Sequence, residues 1–203
     1  EALANYSKAL KIFENTDNKK LIARSLNGIA VIYKNQGQVK EALSHYTRSL
    51  KIFEQIKDKN GLAGALSNIG VVYKSQDQLP EAIDYYRRSL KLYREVDNKK
   101  GQGKVLSNIG SIFFLQKQTD SALIYFKQSL EISELEHDKI GMASSLNNLG
   151  GVYYEKNQLD DCILLNDNGN IIEAINSNIF AVKNGVLYTP PVEEGCVNGV
   201  MRS

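Results

Sequence analysis

Apolar residues along most of this chain return at helical rather than strand spacing. Between residues 66 and 92 they stand at Leu66, Ile69, Val72 and Tyr73, then at Leu79, Ala82, Ile83, Tyr86, Leu90 and Leu92. Steps of three and four place such a set on one face of a helix, because a turn takes 3.6 residues. The polar break "SQDQ" separates the two sets, so the stretch predicts two amphipathic helices. Pro80 falls at the start of the second, where a missing N–H costs no helical hydrogen bond.

The pair is one unit of a repeat. "LNGIAVIY" at Leu26 recurs as "LSNIGVVY" at Leu66, "LSNIGSIF" at Leu106 and "LNNLGGVY" at Leu146, forty residues apart each time. "EALANYSKALKIFE" at Glu1 recurs as "EALSHYTRSLKIFE" at Glu41, "EAIDYYRRSLKLYR" at Glu81 and, more loosely, "SALIYFKQSLEISE" at Ser121. Within units the breaks are "NQGQ", "SQDQ" and "QKQ"; between units they are "DNKK", "KDKNG", "DNKKG" and "HDKIG". Residues 1–161 therefore predict a partial first unit, three full helix pairs and half of a last unit. Small residues at Ala30, Gly70, Gly110 and Gly150 on the first helices, and at Ala2, Ala42, Ala82 and Ala122 on the second, predict close helix approach. Tyr33, Tyr73, Phe113 and Tyr153, with Tyr6, Tyr46, Tyr86 and Phe126, are expected to fill the space between neighbouring pairs as core.

The spacing of Leu66, Ile69, Gly70 and Tyr73, followed by Ala82 and Tyr86, resembles the tetratricopeptide repeat family. It lacks the family's Trp and closing Pro, and its unit is six residues longer than the common one. The resemblance implies an all-α helical-hairpin solenoid, and a role as a scaffold that holds a protein or peptide, such as the sensor or adaptor part of a bacterial signalling protein. In a stacked array the inner surface is lined by the first helix of each unit. Asn68, Asn108 and Asn148 recur there, with Gly28 in the equivalent place of the earliest unit. A carboxamide both donates and accepts, so these residues are candidates for bonding the backbone of an extended peptide. The competing reading has them bonding between repeats or facing water. Lys34 and Lys74 lie further along the same helices, but Phe114 and Tyr154 stand in their place later, so a basic clamp is not sustained. The expected ligand is a mixed polar and apolar segment.

After Asp161 the period changes. "CILLNDNGNIIEAI" and "NIFAVKNGVLYTP" set apolar runs on either side of Asn-Gly, a pair that supplies the positive φ of tight hairpin turns. Residues 162–203 are thus expected to be β-hairpin-rich. Ile163, Leu165, Ile171, Ile179 and Phe180 there could cover an apolar face of Leu146, Leu149, Val152 and Tyr153 that lacks a following helix. "EAINSNIF" from Glu173, "LYTP" from Leu187 and "GCVNGVMR" from Gly195 together resemble class IV, branched-chain-type aminotransferases, with "VNGVMR" most similar to aminodeoxychorismate lyase. That resemblance implies that Glu173 would pair with the ring nitrogen of pyridoxal phosphate, and that Val197, Asn198, Gly199 and Val200 would offer N–H groups to its phosphate. The family's Schiff-base lysine lies upstream, where this chain carries helical repeats instead. Residues 162–203 are therefore read as an inactive fragment, joined without a linker as in a truncated or recombined reading frame.

Composition narrows the remaining classes. The 25 basic and 23 acidic residues are interleaved and leave a net charge of +2, so neither nucleic acid nor membrane is an expected partner. No apolar run is long enough to span a bilayer and no secretion signal opens the chain, which suits a cytoplasmic protein. Cys162 and Cys196 have no metal or redox spacing, and His45 and His137 have no recurring Ser, Cys or Asp partner. No catalytic or metal site is expected.

Overall fold

A computed structural model describes residues 1–157 and, beyond them, only the backbone of four short strands. The helices are α1 (Ala2–Asn15), α2 (Lys19–Asn35), α3 (Val39–Gln55), α4 (Lys59–Ser75), α5 (Leu79–Glu95), α6 (Lys99–Leu115), α7 (Thr119–Leu135) and α8 (Lys139–Asn157). This is the helix-pair repeat class that the periodicity predicts.

The turns are tighter than the polar breaks suggest, because the lysines and glycines that close those breaks already belong to the next helix. Each connection is three residues long, and its middle residue lies in the left-handed region: Asp17, Gly37, Lys57, Asp77, Asp97, Lys117 and His137, with φ from 48° to 75°. The residue after it donates its N–H five positions back, from Asn18 to Phe13 O, Asp58 to Phe53 O and Asp138 to Ser133 O among others, at 2.8–3.1 Å. These bonds satisfy carbonyls that the helix end leaves open. Capping then alternates. Asn18, Asp58, Asn98 and Asp138 each accept the N–H three residues on, at Leu21, Gly61, Gly101 and Gly141. At the starts of α3, α5 and α7, Gln38, Gln78 and Gln118 provide no side-chain cap.

The chain divides into two compact units, Glu1–Asn108 and Ile109–Ser203, and the division falls inside α6. In the first unit Ala30, Ala42, Tyr46, Ile69 and Val72 form one buried cluster, and Ala23, Phe53 and Ala65 a second. In the second, Ala122, Phe126, Leu149 and Val152 are buried together, with Phe113, Leu130 and Tyr153 against them. Leu149 and Val152 are therefore core residues packed with Phe126.

The small residues face rings. A Cβ on Gly70 would lie 2.7 Å from a carbon of the fully buried Tyr86, and one on Gly110 would lie 2.8 Å from Phe126. Alanine would gain about 1 kcal/mol of helix propensity there, but overpacking against a ring with nowhere to move costs about 1–3 kcal/mol. Glycine is the stabler choice. Tyr46, Tyr86 and Phe126 fill the interior as expected, whereas Tyr6 is largely exposed and α1 buries no residue. The other aromatic row departs from expectation: Tyr33, Tyr73 and Phe113 are only half-buried and stack within their own pair, on His45, Tyr85 and Tyr125, at 5.1–5.4 Å between centroids.

Buried hydroxyls lace the pairs together. Ser49 Oγ donates to the Ala23 carbonyl at 2.8 Å, Ser89 Oγ donates to the Ala63 carbonyl at 2.7 Å, and Ser145 Oγ donates to Ser129 Oγ at 2.9 Å. Each hydroxyl thus leaves water without losing its partner. Past α8, strand β1 (Ile163–Leu165) runs antiparallel to β2 (Ile171–Ala174), and β3 (Ala181–Lys183) antiparallel to β4 (Val186–Tyr188).

Candidate partner-binding face

A helix with one face in the core presents the other. On α4, Ala63, Ala65, Leu66, Ile69, Gly70 and Val72 are buried, while Gly64, Ser67, Asn68, Val71 and Lys74 are half-buried and Ser75 is exposed. The non-core face is therefore small and polar, and Asn68 lies on it as expected. Lys74 does not follow Asn68 along a single stripe: six residues apart, they sit about 120° from each other around the helix, on opposite margins of that face. Burial pushes the Lys74 ammonium below its ordinary pKa.

The equivalent positions repeat this geometry, each within its own helix. On α2, Asn27 and Lys34 are half-buried and Arg24 is exposed; on α6, Asn108 is half-buried beside Ser107. These belong with Asn68 to the first unit. Asn148 belongs to the second, half-buried on α8 with Tyr154 exposed two turns along. Lys74, Asn108 and Asn148 also take part in interactions within the fold. Sequence reasoning passed over Asn27. Its Oδ1 is buried with no hydrogen-bond partner among the described residues, and Ser67, Ser107 and Asn147 stand in its place in the other units. A recurring polar residue beside the recurring Asn was the available signal.

The histidines form no reactive group. His45 stacks on Tyr33, its Nδ1 is buried without a partner, and burial, with Arg48 second, lowers its pKa from 6.5. His137 serves as the left-handed residue of its turn. On α5 a shallow depression of about 380 Å³ is lined by Pro80, Glu81, Asp84, Tyr85 and Arg88, with the Arg88 guanidinium 5.3 Å above the Tyr85 ring. Among the described residues there is no group of three His, Cys, Asp or Glu arranged for a metal, and no helix long and apolar enough to cross a membrane. The expected cofactor contacts, Glu173, Val197, Asn198, Gly199 and Val200, have side chains outside the described residues, as do Cys162 and Cys196.

Comparison with known proteins follows the same division. The tetratricopeptide repeat profile matches residues 1–55, 21–95, 61–134 and 101–163, which together run through most of the chain. The amino-transferase class IV profile matches residues 141–203. A protein of Methanocaldococcus jannaschii described as a branched-chain-amino-acid aminotransferase is 48% identical over 42 residues, which is 21% of this chain and 15% of that protein. Among solved structures, BtubC (BKLC) from P. vanneervenii has a TM-score of 0.66 at 20% identity, covering 78% of this chain and 66% of that one. A Rap protein complexed with Competence and Sporulation Factor has a TM-score of 0.66 at 18% identity, covering 77% and 48%. Apo RapI has a TM-score of 0.66 at 16% identity, covering 77% and 44%. The chain thus spans about half to two thirds of the length of these structural neighbours.

Proposed function

Because the chain belongs to the tetratricopeptide repeat family, we propose that it is a protein-interaction scaffold whose first helices hold an extended segment of a partner protein. The observation that carries this is the recurrence of a half-buried Asn beside small residues on the non-core face of α4, α6 and α8. A carboxamide held part-way out of solvent can bond a peptide N–H and C=O at once, with less side-chain entropy to lose than a free one. The orphaned Asn27 Oδ1 on α2 supports the same reading: a buried acceptor without a donor costs about 1–3 kcal/mol, which a bound backbone N–H would recover. A similar fold holds a factor in the Rap complex. Residues Lys34 and Lys74 would add positive charge at the margins, and the role fits the adaptor or sensor part of a signalling protein. To test it, a random twelve-residue peptide library is panned against the chain. Selected peptides should bind the Asn68→Ala, Asn108→Ala, Asn148→Ala variant at least tenfold more weakly; unchanged affinity would remove the carboxamides from the site.

The class IV match favours a second, limited statement. Residues 141–203 share ancestry with an aminotransferase motif, and we propose that the chain performs no pyridoxal chemistry, since tetratricopeptide repeats occupy the stretch where that family places its lysine. Pyridoxal phosphate mixed with the chain should be absent after gel filtration. A retained chromophore that borohydride fixes covalently to the protein would overturn this.

A further inference from the structure

Charges that are interleaved along the sequence are sorted by the fold. The lysines at the turns are paired: Lys20 with Asp58 at 2.9 Å, Lys59 with Glu95 at 2.8 Å, Lys99 with Asp97 at 3.0 Å, Lys156 with Asp120 at 2.7 Å, and Lys117 with Glu155. The cations in the middle of the second helices of the first unit are not. Lys8 and Lys11 on α1, Arg48 and Lys51 on α3, and Arg88 and Lys91 on α5 recur at the same two places in the forty-residue period, and all six are exposed. Lys8, Lys11, Lys51 and Lys91 make no ion pair among the described residues. Arg48 reaches Glu14 only at 4.0 Å, and Arg88 reaches Asp84 at 3.7 Å. The Arg48–Glu14 contact also shows that the outer faces of α1 and α3 adjoin. In α7 the equivalent residues are Gln128 and Glu131, so the row is a property of the first three second helices and not of the repeat as such.

We propose that this basic row on α1, α3 and α5 is a second docking surface, separate from the Asn-bearing face, for an acidic segment of a partner protein. Charge complementarity names the chemistry: exposed, unpaired cations repeated across three helices attract carboxylates and steer their approach. The rims decide between a polypeptide and a nucleic acid. Glu14, Glu54 and Glu95 lie toward one end of these helices, and Glu41, Glu81 and Asp84 toward the other. The cation pairs are three residues apart, about 4.5 Å along a helix, so the positive strip is narrow. A single extended chain can follow it across the three helices. A duplex about 20 Å wide would press phosphates onto the acidic rims, repelling them.

The test uses the full chain and three probes of similar length: a poly-glutamate peptide, a Ser/Gly peptide and a single-stranded oligonucleotide. Poly-glutamate should bind, the Ser/Gly peptide should not, and affinity for poly-glutamate should fall at least tenfold in the Lys8→Gln, Lys11→Gln, Lys51→Gln, Lys91→Gln variant. Lys→Arg replacements at the same four places should preserve binding. A control with Lys40, Lys104, Lys127 and Lys139 changed to Gln removes the same charge elsewhere and should leave affinity within twofold of the parent. The proposal is overturned if poly-glutamate fails to bind the parent, if the control loses as much as the test variant, or if the oligonucleotide binds tenfold tighter than the peptide. The Asn68, Asn108 and Asn148 alanine variant should bind poly-glutamate like the parent, which separates this surface from the first.

Discussion

His45 shows how much a single position inherits from its repeat. Tyr85 and Tyr125 fill the equivalent places and stack on Tyr73 and Phe113, as His45 stacks on Tyr33. The imidazole keeps the ring and adds a titration. Its folded pKa lies below 6.5, so the unfolded chain binds more protons between that lowered value and pH 6.5. The stability it contributes is present above about pH 6.5 and is lost as pH falls through the folded pKa. A His45→Tyr variant should therefore lose less Tm than the parent between about pH 7.5 and pH 5, as measured by thermal circular dichroism. Equal losses would show that the site does not titrate on unfolding. The recurrence of His45 as tyrosine was legible in the sequence; that the ring leans on its own pair was not, because spacing assigns a face to a residue but no contact partner.

At the scale of the element, the turns hold a conformation that their residues do not prefer. A left-handed L-residue costs roughly 1–2 kcal/mol relative to its right-handed state, and only Gly37 avoids that cost by having no Cβ. Lys57 is exposed, has no ion pair among the described residues and has φ 55°. Lys57→Gly should raise stability by about 0.5–1 kcal/mol once the extra freedom of glycine in the unfolded chain is subtracted. Gly37→Ala should lower it by about 1 kcal/mol. Chemical denaturation midpoints decide both; a destabilising Lys57→Gly would mean that the lysine contributes something beyond its backbone. Asp58, two helices' worth of structure from the chain start, does double duty at such a turn. Burial alone would raise its carboxyl pKa, but the Gly61 N–H and Lys20 together outweigh burial and hold it low. The helices themselves were legible from periodicity. The caps and the left-handed residues were hidden in breaks read only as polar, since Asp, Lys and His at a middle turn position carry no glycine signal.

Across the whole molecule, stability in such a protein is a sum over units and their nearest neighbours. α1 buries no residue, whereas α3 buries Ala42, Tyr46, Ser49 and Phe53. Backbone amides in α1 should exchange with deuterium at least tenfold faster than those in α3 when followed by mass spectrometry, because they open locally without unfolding the core. Matching rates would mean that the two helices unfold as one. The forty-residue period made the repeat family and the non-core face of the first helices readable in advance. The basic row was not, because interleaved charges reveal a pattern only once residues forty apart are set side by side on adjoining helices. The segment after Asn157 was read from motif alone, and its profile match extends back to residue 141, into α8.

Helices α2 through α7 are each 17 residues long and every turn has three, so each helix and its turn occupy twenty positions. Length in this chain is consequently a quantised variable. One residue added inside α4 would rotate everything after it by about 100°, carrying Ile69 and Val72 off the core face and spoiling every later pairing of ring with glycine. A loss or gain of forty residues keeps ring against glycine, serine against carbonyl and cap against N–H. The admissible changes of size are whole units, and the chain can lengthen or shorten its list of contacts without rewriting any of them.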